Sequence, residues 1–263
     1  MRRKAVAKCG YEVDDRGVAT LKINNPPLNA FDDQTLMDLR DAVKKIASDD
    51  KVKVVVVTGE GPAFVVGADI TKIKEVNTSE EAIRVTEQAH EIFSMIEKSR
   101  KPYIAAINGL ALGGGTELAL ACHMRIGGDQ AQMGLPEINL GILPGFGGTQ
   151  RSARLLGTAR ALEMMLTGKF IDMKEADKIG LVNRVVPHAD VLSETQKIAR
   201  SIANKGQVAV RAVVEAVVEG SRLSQEEGLR LERQLLGKLA ETEDKKEGIS
   251  AFLEKRKPVF KNR

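Results

Sequence analysis

Four consecutive valines, Val54-Val55-Val56-Val57, constrain the fold of this chain more than any other stretch. A short run that is apolar on both faces reads as a strand buried on both sides, the usual condition in parallel sheets. Thr58-Gly59-Glu60-Gly61-Pro62 closes it. Residues 102–107 read as a second buried strand, and Val18–Ile23 alternates before stopping at Asn24-Asn25-Pro26-Pro27. Between these strands Leu36, Leu39, Val43 and Ile46 recur at helical spacing, with Asp32 or Asp33 as N-cap. Residues 80–98 also predict a helix, with Ile83, Ala89, Ile92, Phe93 and Ile96 as core candidates. Further helices are expected over about 115–123, 149–156, 159–166 and 173–179, with short strands within 124–133 and 182–186. From Val191 onward the pattern is almost wholly helical. Alternating strands and helices followed by helices alone imply βαβ units with parallel strands and a helical carboxyl region.

A chain of 263 residues can bury a full core. We divide it into a core domain over residues 1–195 and a helical region over 196–263. Leu229, Leu231, Leu235, Leu236 and Leu239 give that region more apolar positions than one solvated helix needs, so it packs on its own core or on another subunit. The absence of Trp and the presence of only two Tyr argue against a stacking platform for nucleic acid. The net charge of +4 is small and scattered, apart from Glu254-Lys255-Arg256-Lys257. Cys9 and Cys122 are too few for a disulfide framework, and neither has metal-ligand spacing with His90, His123 or His188. Reduced thiols in a cytoplasmic protein are the expectation. The basic stretch from Met1 to Lys8 lacks the apolar core of a secretory signal, Lys261-Asn262-Arg263 is no peroxisomal tripeptide, and no apolar run reaches membrane-span length.

The chemistry concentrates in Ile107-Asn108-Gly109-Leu110-Ala111-Leu112-Gly113-Gly114-Gly115-Thr116-Glu117. Leu135-Pro136-Glu137 follows, its glutamate twenty residues after the first, and then Pro144-Gly145-Phe146-Gly147-Gly148-Thr149-Gln150-Arg151. Glycine lacks a Cβ, so its backbone can approach a ligand and present bare N–H groups. A helix starting at such a turn adds its positive end. Donors of this kind beside two carboxylates suit a reaction that forms an oxyanion and moves protons. Without the glycines, Glu117 would read as a helix-start residue and Glu137 as a solvated turn residue; with them, a site is the better reading. No serine sits in a nucleophile elbow, and neither a Walker A loop nor a Rossmann fingerprint occurs in its required setting.

These residues resemble the crotonase superfamily, also called the enoyl-CoA hydratase/isomerase family, and within it the bacterial-type short-chain hydratases. The resemblance spans nearly the whole chain. It includes Pro27-Leu28-Asn29-Ala30, Gly67-Ala68-Asp69-Ile70, the Asn108–Leu118 stretch, Pro136-Glu137 with Leu140-Gly141, the Pro144–Arg151 stretch and Ala251-Phe252-Leu253-Glu254-Lys255-Arg256. It implies an α/β crotonase (ClpP-like) fold of repeated ββα units with a helical C-terminal trimerisation region, assembled as a homotrimer or a dimer of trimers. It also implies an acyl-CoA thioester substrate, of which CoA is a part, with no metal, flavin or nicotinamide.

By position, the resemblance makes the N–H groups of Ala68 and Gly114 an oxyanion hole. Glu117 would activate water and Glu137 would exchange the α proton. Val66, Gly67, Ala68, Asp69 and Ile70 would line the thioester and the adenine or pantetheine path, beside Gly113 and Gly114, with Leu28 and Ala30 on the other side. Lys72, Phe252 and Lys255 are candidates for the CoA adenine and phosphates. Gly145 would lie in the loop facing the water site. Three positions depart from the commonest family pattern: Val65-Val66 stand where smaller residues are usual, Thr71 where many members have lysine, and His123 where an aspartate is frequent. A cationic His123 would suit the helix end it occupies. The implied activity is hydration of trans-2-enoyl-CoA to 3-hydroxyacyl-CoA in fatty-acid β-oxidation. The alternatives are a 3-enoyl-CoA isomerase or another acyl-CoA lyase or hydrolase of the same family, and, as a different class, a non-catalytic acyl-CoA- or RNA-binding member.

Overall fold

The valine run forms β3 (Val54–Gly59), every residue of which is buried in a six-stranded sheet. In this computed structural model, which describes residues 7–263, the strand order is β1 (Cys9–Val13), β2 (Val18–Ile23), β3, β5 (Tyr103–Ile107), β7 (Met124–Gly128) and β10 (Arg184–Val186). Only β1 runs antiparallel to its neighbour. The first six residues of the basic amino-terminal stretch lie outside the described residues.

A second, four-stranded sheet was not legible as separate strands: β4 (Ala63–Val66), β6 (Leu110–Leu112), β8 (Gln132–Gly134) and β9 (Ile171–Asp172). These strands hold two to four residues each, too few to show a period. The first three each follow a strand of the large sheet after a short turn. Helices come next: α2 (Ile70–Glu75) and α3 (Ser79–Glu97) after β4, α4 (Gly114–Ala121) after β6, and later α5 (Gly148–Leu156) after β8. The repeated ββα unit is thus observed. Asn108 aligns two of the units: its Nδ2 donates to the Gly59 and Gly61 carbonyls at 3.0 Å, and its Oδ1 accepts from Thr58 Oγ1 and Gly59 N–H. At Gly109 an added Cβ would overlap the Pro62 carbonyl, so only glycine permits that approach.

Asp32, not Asp33, caps α1 (Asp33–Ser48), accepting from Thr35 N–H at 2.8 Å. The main core lies between α1, α3 and α4 and the two sheets, and includes Leu39, Ile46, Phe64, Ile92, Phe93 and Leu118. Ile83 does not join it: it is exposed on the first turns of α3, while Ala89, Ile92, Phe93 and Ile96 are buried. The carboxyl end of α4 is held by Arg125, a residue without an assigned role in the sequence reading. Its buried guanidinium donates to the Ala119, Cys122 and Leu181 carbonyls.

The chain then forms α6 (Thr158–Thr167), α7 (Met173–Lys178), α8 (Val191–Ala203), α9 (Gln207–Gly220), α10 (Gln225–Ala240) and α11 (Glu243–Leu253). The expected boundary at 195/196 falls inside α8. That helix packs on the outer face of the six-stranded sheet, where Ala199 and Ala203 join Val54, Val56, Ile104 and Ala106 in a second core cluster. α8 thus covers the second face of the valine strand. Of the five leucines read on α10, only Leu235 is buried, and Leu229 and Leu236 are exposed together with Val213 and Val217 of α9. Among the described residues no helix is long and apolar enough to cross a membrane.

Candidate active site

Parallel pairing brings the site together. Val66 at the end of β4 lies opposite Leu112 at the end of β6, and Leu112 opposite Gly134 at the end of β8. The chain leaves these strand ends side by side: Gly67 N–H donates to the Leu112 carbonyl at 2.8 Å, and Gly113 N–H to the Gly134 carbonyl at 2.9 Å. Gly113 then takes φ +52° and ψ −121°, a conformation reserved for glycine, and α4 starts at the next residue. Among the described residues neither Gly114 N–H nor Ala68 N–H has a hydrogen-bond acceptor. Two bare donors thus sit on adjoining turns, one of them at a helix N-terminus.

Three phenylalanines back this cradle. Phe31, Phe93 and Phe146 have ring centroids 5.9–6.5 Å apart. A Cβ at Gly114 would meet Phe31 at 3.1 Å and Phe146 at 3.2 Å. Thr116, buried in the first turn of α4, donates to the Ala111 carbonyl at 2.5 Å and accepts Gly134 N–H at 3.0 Å, tying the helix to both strands beneath it.

Glu117 is 1% exposed. Its Oε1 accepts the Phe146 N–H at 2.8 Å and the Gly148 N–H at 2.7 Å. Burial pushes its carboxyl up to about 7, and Glu137 adds to the rise, while the two N–H donors and Arg151 work the other way. Glu137 stands on a 3-10 turn over Pro136–Leu140. Its Oε1 lies 2.8 Å from where a Cβ on Gly113 would be, so the carboxyl hangs directly over the glycine turn. Its Oε2 is buried without a partner, and burial raises this carboxyl too. The two glutamates therefore differ in kind. One carboxyl is anchored by two N–H donors and the other keeps a buried oxygen without a partner, an arrangement that favours a base and an acid side by side.

The expected lining residues divide into two groups. The segment from Leu28 to Phe31 runs along 66–69, with Val66 N–H donating to the Leu28 carbonyl at 3.0 Å and Phe31 N–H to the Gly67 carbonyl at 2.9 Å. That places Leu28, Ala30, Val66, Gly67 and Ala68 around the cradle. Gly145 sits in the loop beside α3, where a Cβ would meet Thr86 at 3.2 Å. Asp69 is committed to capping α2, accepting from Thr71 N–H at 2.9 Å. Ile70 and Lys72 are exposed on α2, and Lys72 pairs with Glu75 at 2.8 Å. Phe252 and Lys255, at the end of α11 and just beyond, are exposed.

His123 departs from its expected state. Its Nδ1 accepts the Tyr103 N–H at 2.9 Å and burial pushes its pKa down, so the ring is neutral and the cationic capping falls to Arg125 instead. Cys9 and Cys122 are buried free thiols pushed up to about 12 by burial, which leaves neither as a nucleophile. Phe146, Gly148 and Thr116 are the site residues that sequence reasoning left without roles. The first two lay inside the Pro144–Arg151 motif, but a backbone N–H carries no side-chain signature.

Short parallel strands that end in a shared glycine cradle, with bare N–H donors beside two carboxyls, define an enzyme class that stabilises an oxyanion and moves protons, and comparison gives it a family. The chain belongs to the enoyl-CoA hydratase/isomerase family, whose sequence pattern matches residues 14–263. It is 43% identical over 245 residues to the crotonyl-CoA hydratase of Syntrophomonas wolfei, covering 92% of this chain and 94% of that one. It is 41% identical over 249 residues to the short-chain-enoyl-CoA hydratase of Clostridium acetobutylicum, covering 94% and 95%. Its structure resembles the crystal structure of enoyl-CoA hydratase from Bacillus anthracis with a TM-score of 0.93 at 37% identity, covering 97% and 100%.

Proposed function

We propose that this protein hydrates trans-2-enoyl-CoA to 3-hydroxyacyl-CoA, a step of fatty-acid β-oxidation. The observation that carries the reading is the pair of unlike glutamates, Glu117 buried and Glu137 half-buried, beside the bare N–H groups of Ala68 and Gly114. The thioester oxygen accepts those two donors. As the oxygen of water bonds to the β carbon, its proton passes to Glu117, and the C=C electron pair moves toward the thioester to give an enolate. Collapse of the enolate takes a proton from Glu137 onto the α carbon. Glu117 ends protonated and Glu137 ionised, and exchange with solvent restores both. The two N–H groups act on charge that develops only during the reaction, and one such donor typically contributes ~3–4 kcal/mol.

The remaining assignments follow from the same reading. Leu28, Ala30, Val66 and Gly67 flank the thioester, and Ile70 and Lys72 face the CoA moiety from α2. Phe252 and Lys255 complete a CoA site only across a subunit boundary. A homotrimer or dimer of trimers covers the exposed Val213, Val217, Leu229 and Leu236. The chemistry needs proton transfer and charge stabilisation alone, so no step is routed through a metal or redox cofactor. Two free buried cysteines are consistent with a cytoplasmic setting.

The test follows crotonyl-CoA through loss of its conjugated enoyl-thioester absorbance, with Glu137→Gln as control. Rapid loss with the wild type only supports hydration. No loss with crotonyl-CoA or longer 2-enoyl-CoAs, together with turnover of a 3-enoyl-CoA, would replace hydration by isomerisation.

A further inference from the structure

We propose that Arg151 is a positioning residue for Glu117, held in place by Glu97, and that Arg222 ties this arrangement to the C-terminal helical region. The inference rests on the reading of Glu117 as the base. Arg151 lies on α5, three residues past Gly148, and its side chain is 12% exposed. Its Nη1 donates to the Phe146 carbonyl at 3.0 Å, on the same residue whose N–H is given to Glu117. Its Nε and Nη2 both donate to Glu97 Oε2, at 3.0 and 2.9 Å. The other oxygen of Glu97 takes Nη2 of Arg222 at 2.8 Å. A continuous series of contacts therefore runs from the α9–α10 turn through Arg222, Glu97, Arg151 and Phe146 to the catalytic carboxylate.

The local backbone is built around this guanidinium. Gly147 has φ +105°, and a Cβ there would overlap Nη1 of Arg151. The glycine keeps the residue between the two donors bare so that the guanidinium can lie over it. A forked, two-point contact fixes a guanidinium's orientation in a way a single charge does not. Here the fork is spent on Glu97 and the remaining arm on Phe146. The charged groups facing Glu117 are Glu137 from the 3-10 turn and Arg151 from α5. Arg151 is the one that favours the ionised form of the base. Glu97 is itself held below the ordinary carboxylate value, because Arg151 and Arg222 outweigh the effect of its burial.

A purely structural ion pair would have the same geometry but would not reach the protonation of Glu117. The experiment reads the ¹³C carboxyl titration of Glu117 by NMR, assigned with Glu117→Gln, in wild type, Arg151→Gln and Arg151→Lys. It also reads kcat and KM for crotonyl-CoA across pH. We expect Arg151→Gln to move the Glu117 titration to higher pH and to lower kcat about tenfold with KM nearly unchanged. Arg151→Lys should move both in the same direction by less, and Glu97→Gln and Arg222→Gln should lower kcat in that order of effect. Folded Arg151→Gln with the wild-type titration overturns the proposal. If that variant does not fold, an unchanged titration in Arg151→Lys does the same. A wild type that hydrates no enoyl-CoA removes the hydratase reading, while the NMR titration still decides whether Arg151 governs Glu117.

Discussion

The two turns that carry the glutamates are built in opposite ways. From Leu112 to Glu117 every residue is buried, the strands beneath are laced by hydrogen bonds, and the Glu117 carboxylate ends on two N–H donors. From Glu137 to Leu143 the chain is largely exposed. Ile138, Leu140, Ile142 and Leu143 face outward, and the carboxyl of Glu137 has a buried oxygen with no partner. The inner turn is complete as folded, whereas the outer one lacks contacts that a bound thioester could supply. Preorganised donors stabilise a transition state without rearranging, so rigidity belongs on the inner side. A group that must deliver and retrieve a proton gains from having no fixed partner.

The largest expected effects remove the contrast outright. Glu117→Gln and Glu137→Gln should each lower kcat by roughly 10²–10⁴-fold, the range for losing a general acid or base. Their pH profiles should separate them. Activity of the wild type rises as pH climbs through about 7, where Glu117 ionises, and that limb should persist in the residual activity of Glu137→Gln and vanish in Glu117→Gln. Equal profiles in the two variants would mean that the carboxylates act as one unit and not as distinct acid and base.

Next in size is a pair of glycines that share a positive φ but not their surroundings. Gly113 has φ +52° with the Glu137 carboxyl against it, and Gly141 has φ +71° with open space around it. Either alanine substitution strains the backbone by ~1–3 kcal/mol. Only Gly113→Ala also pushes on Glu137, so it should lose activity at least tenfold, while Gly141→Ala stays active and only unfolds at lower urea. Comparable activity in the two variants would show that the outer turn can yield without harm to catalysis.

Much of this fold could be read from the chain because its long elements carry clear periods. The valine strand, the apolar faces of α1 and α3 and the closing helices α8–α11 need no tertiary information to recognise. The second sheet escaped because strands as short as Leu110–Leu112 have no measurable alternation. The site was legible where glycines and carboxylates mark it. Its supports were not, because Phe146 and Gly148 act through backbone N–H groups, and the partners of Arg125 and Arg151 are brought to them only by packing. The expected division at 195/196 lies within α8. Sequence shows that α8 is a helix but not that it covers the far face of the valine strand.

Stability offers a subtler test of the inner turn. Glu117 goes from the ordinary glutamate value of 4.5 to about 7 on folding, so between those values the native state binds more protons than the unfolded one. Native stability from this group therefore falls as pH rises from about 4.5 to 7, and is level outside that window. Glu117→Gln removes the titration. Its stability relative to wild type should grow across the window by up to about 3 kcal/mol and then remain constant. Urea melts at pH 5 and pH 8 would check this, and a difference that does not change with pH would mean that the two N–H donors fully offset burial.

The smallest effect belongs to the outer turn, and its smallness is the point. Leu143 is 64% exposed, so Leu143→Ser removes little from the folded core and should leave the urea midpoint unchanged. If this wall completes itself only around an acyl chain, the substitution should raise KM for a longer 2-enoyl-CoA by less than about tenfold and leave crotonyl-CoA turnover as it was. The two substrates distinguish the possibilities. A uniform rise for both would place Leu143 against the CoA moiety, and no rise for either would leave the apolar outer turn to another subunit. A loss of stability would contradict the division between a turn that serves the fold and a turn that serves the substrate, because Leu143 would then be packed as tightly as the residues around Glu117.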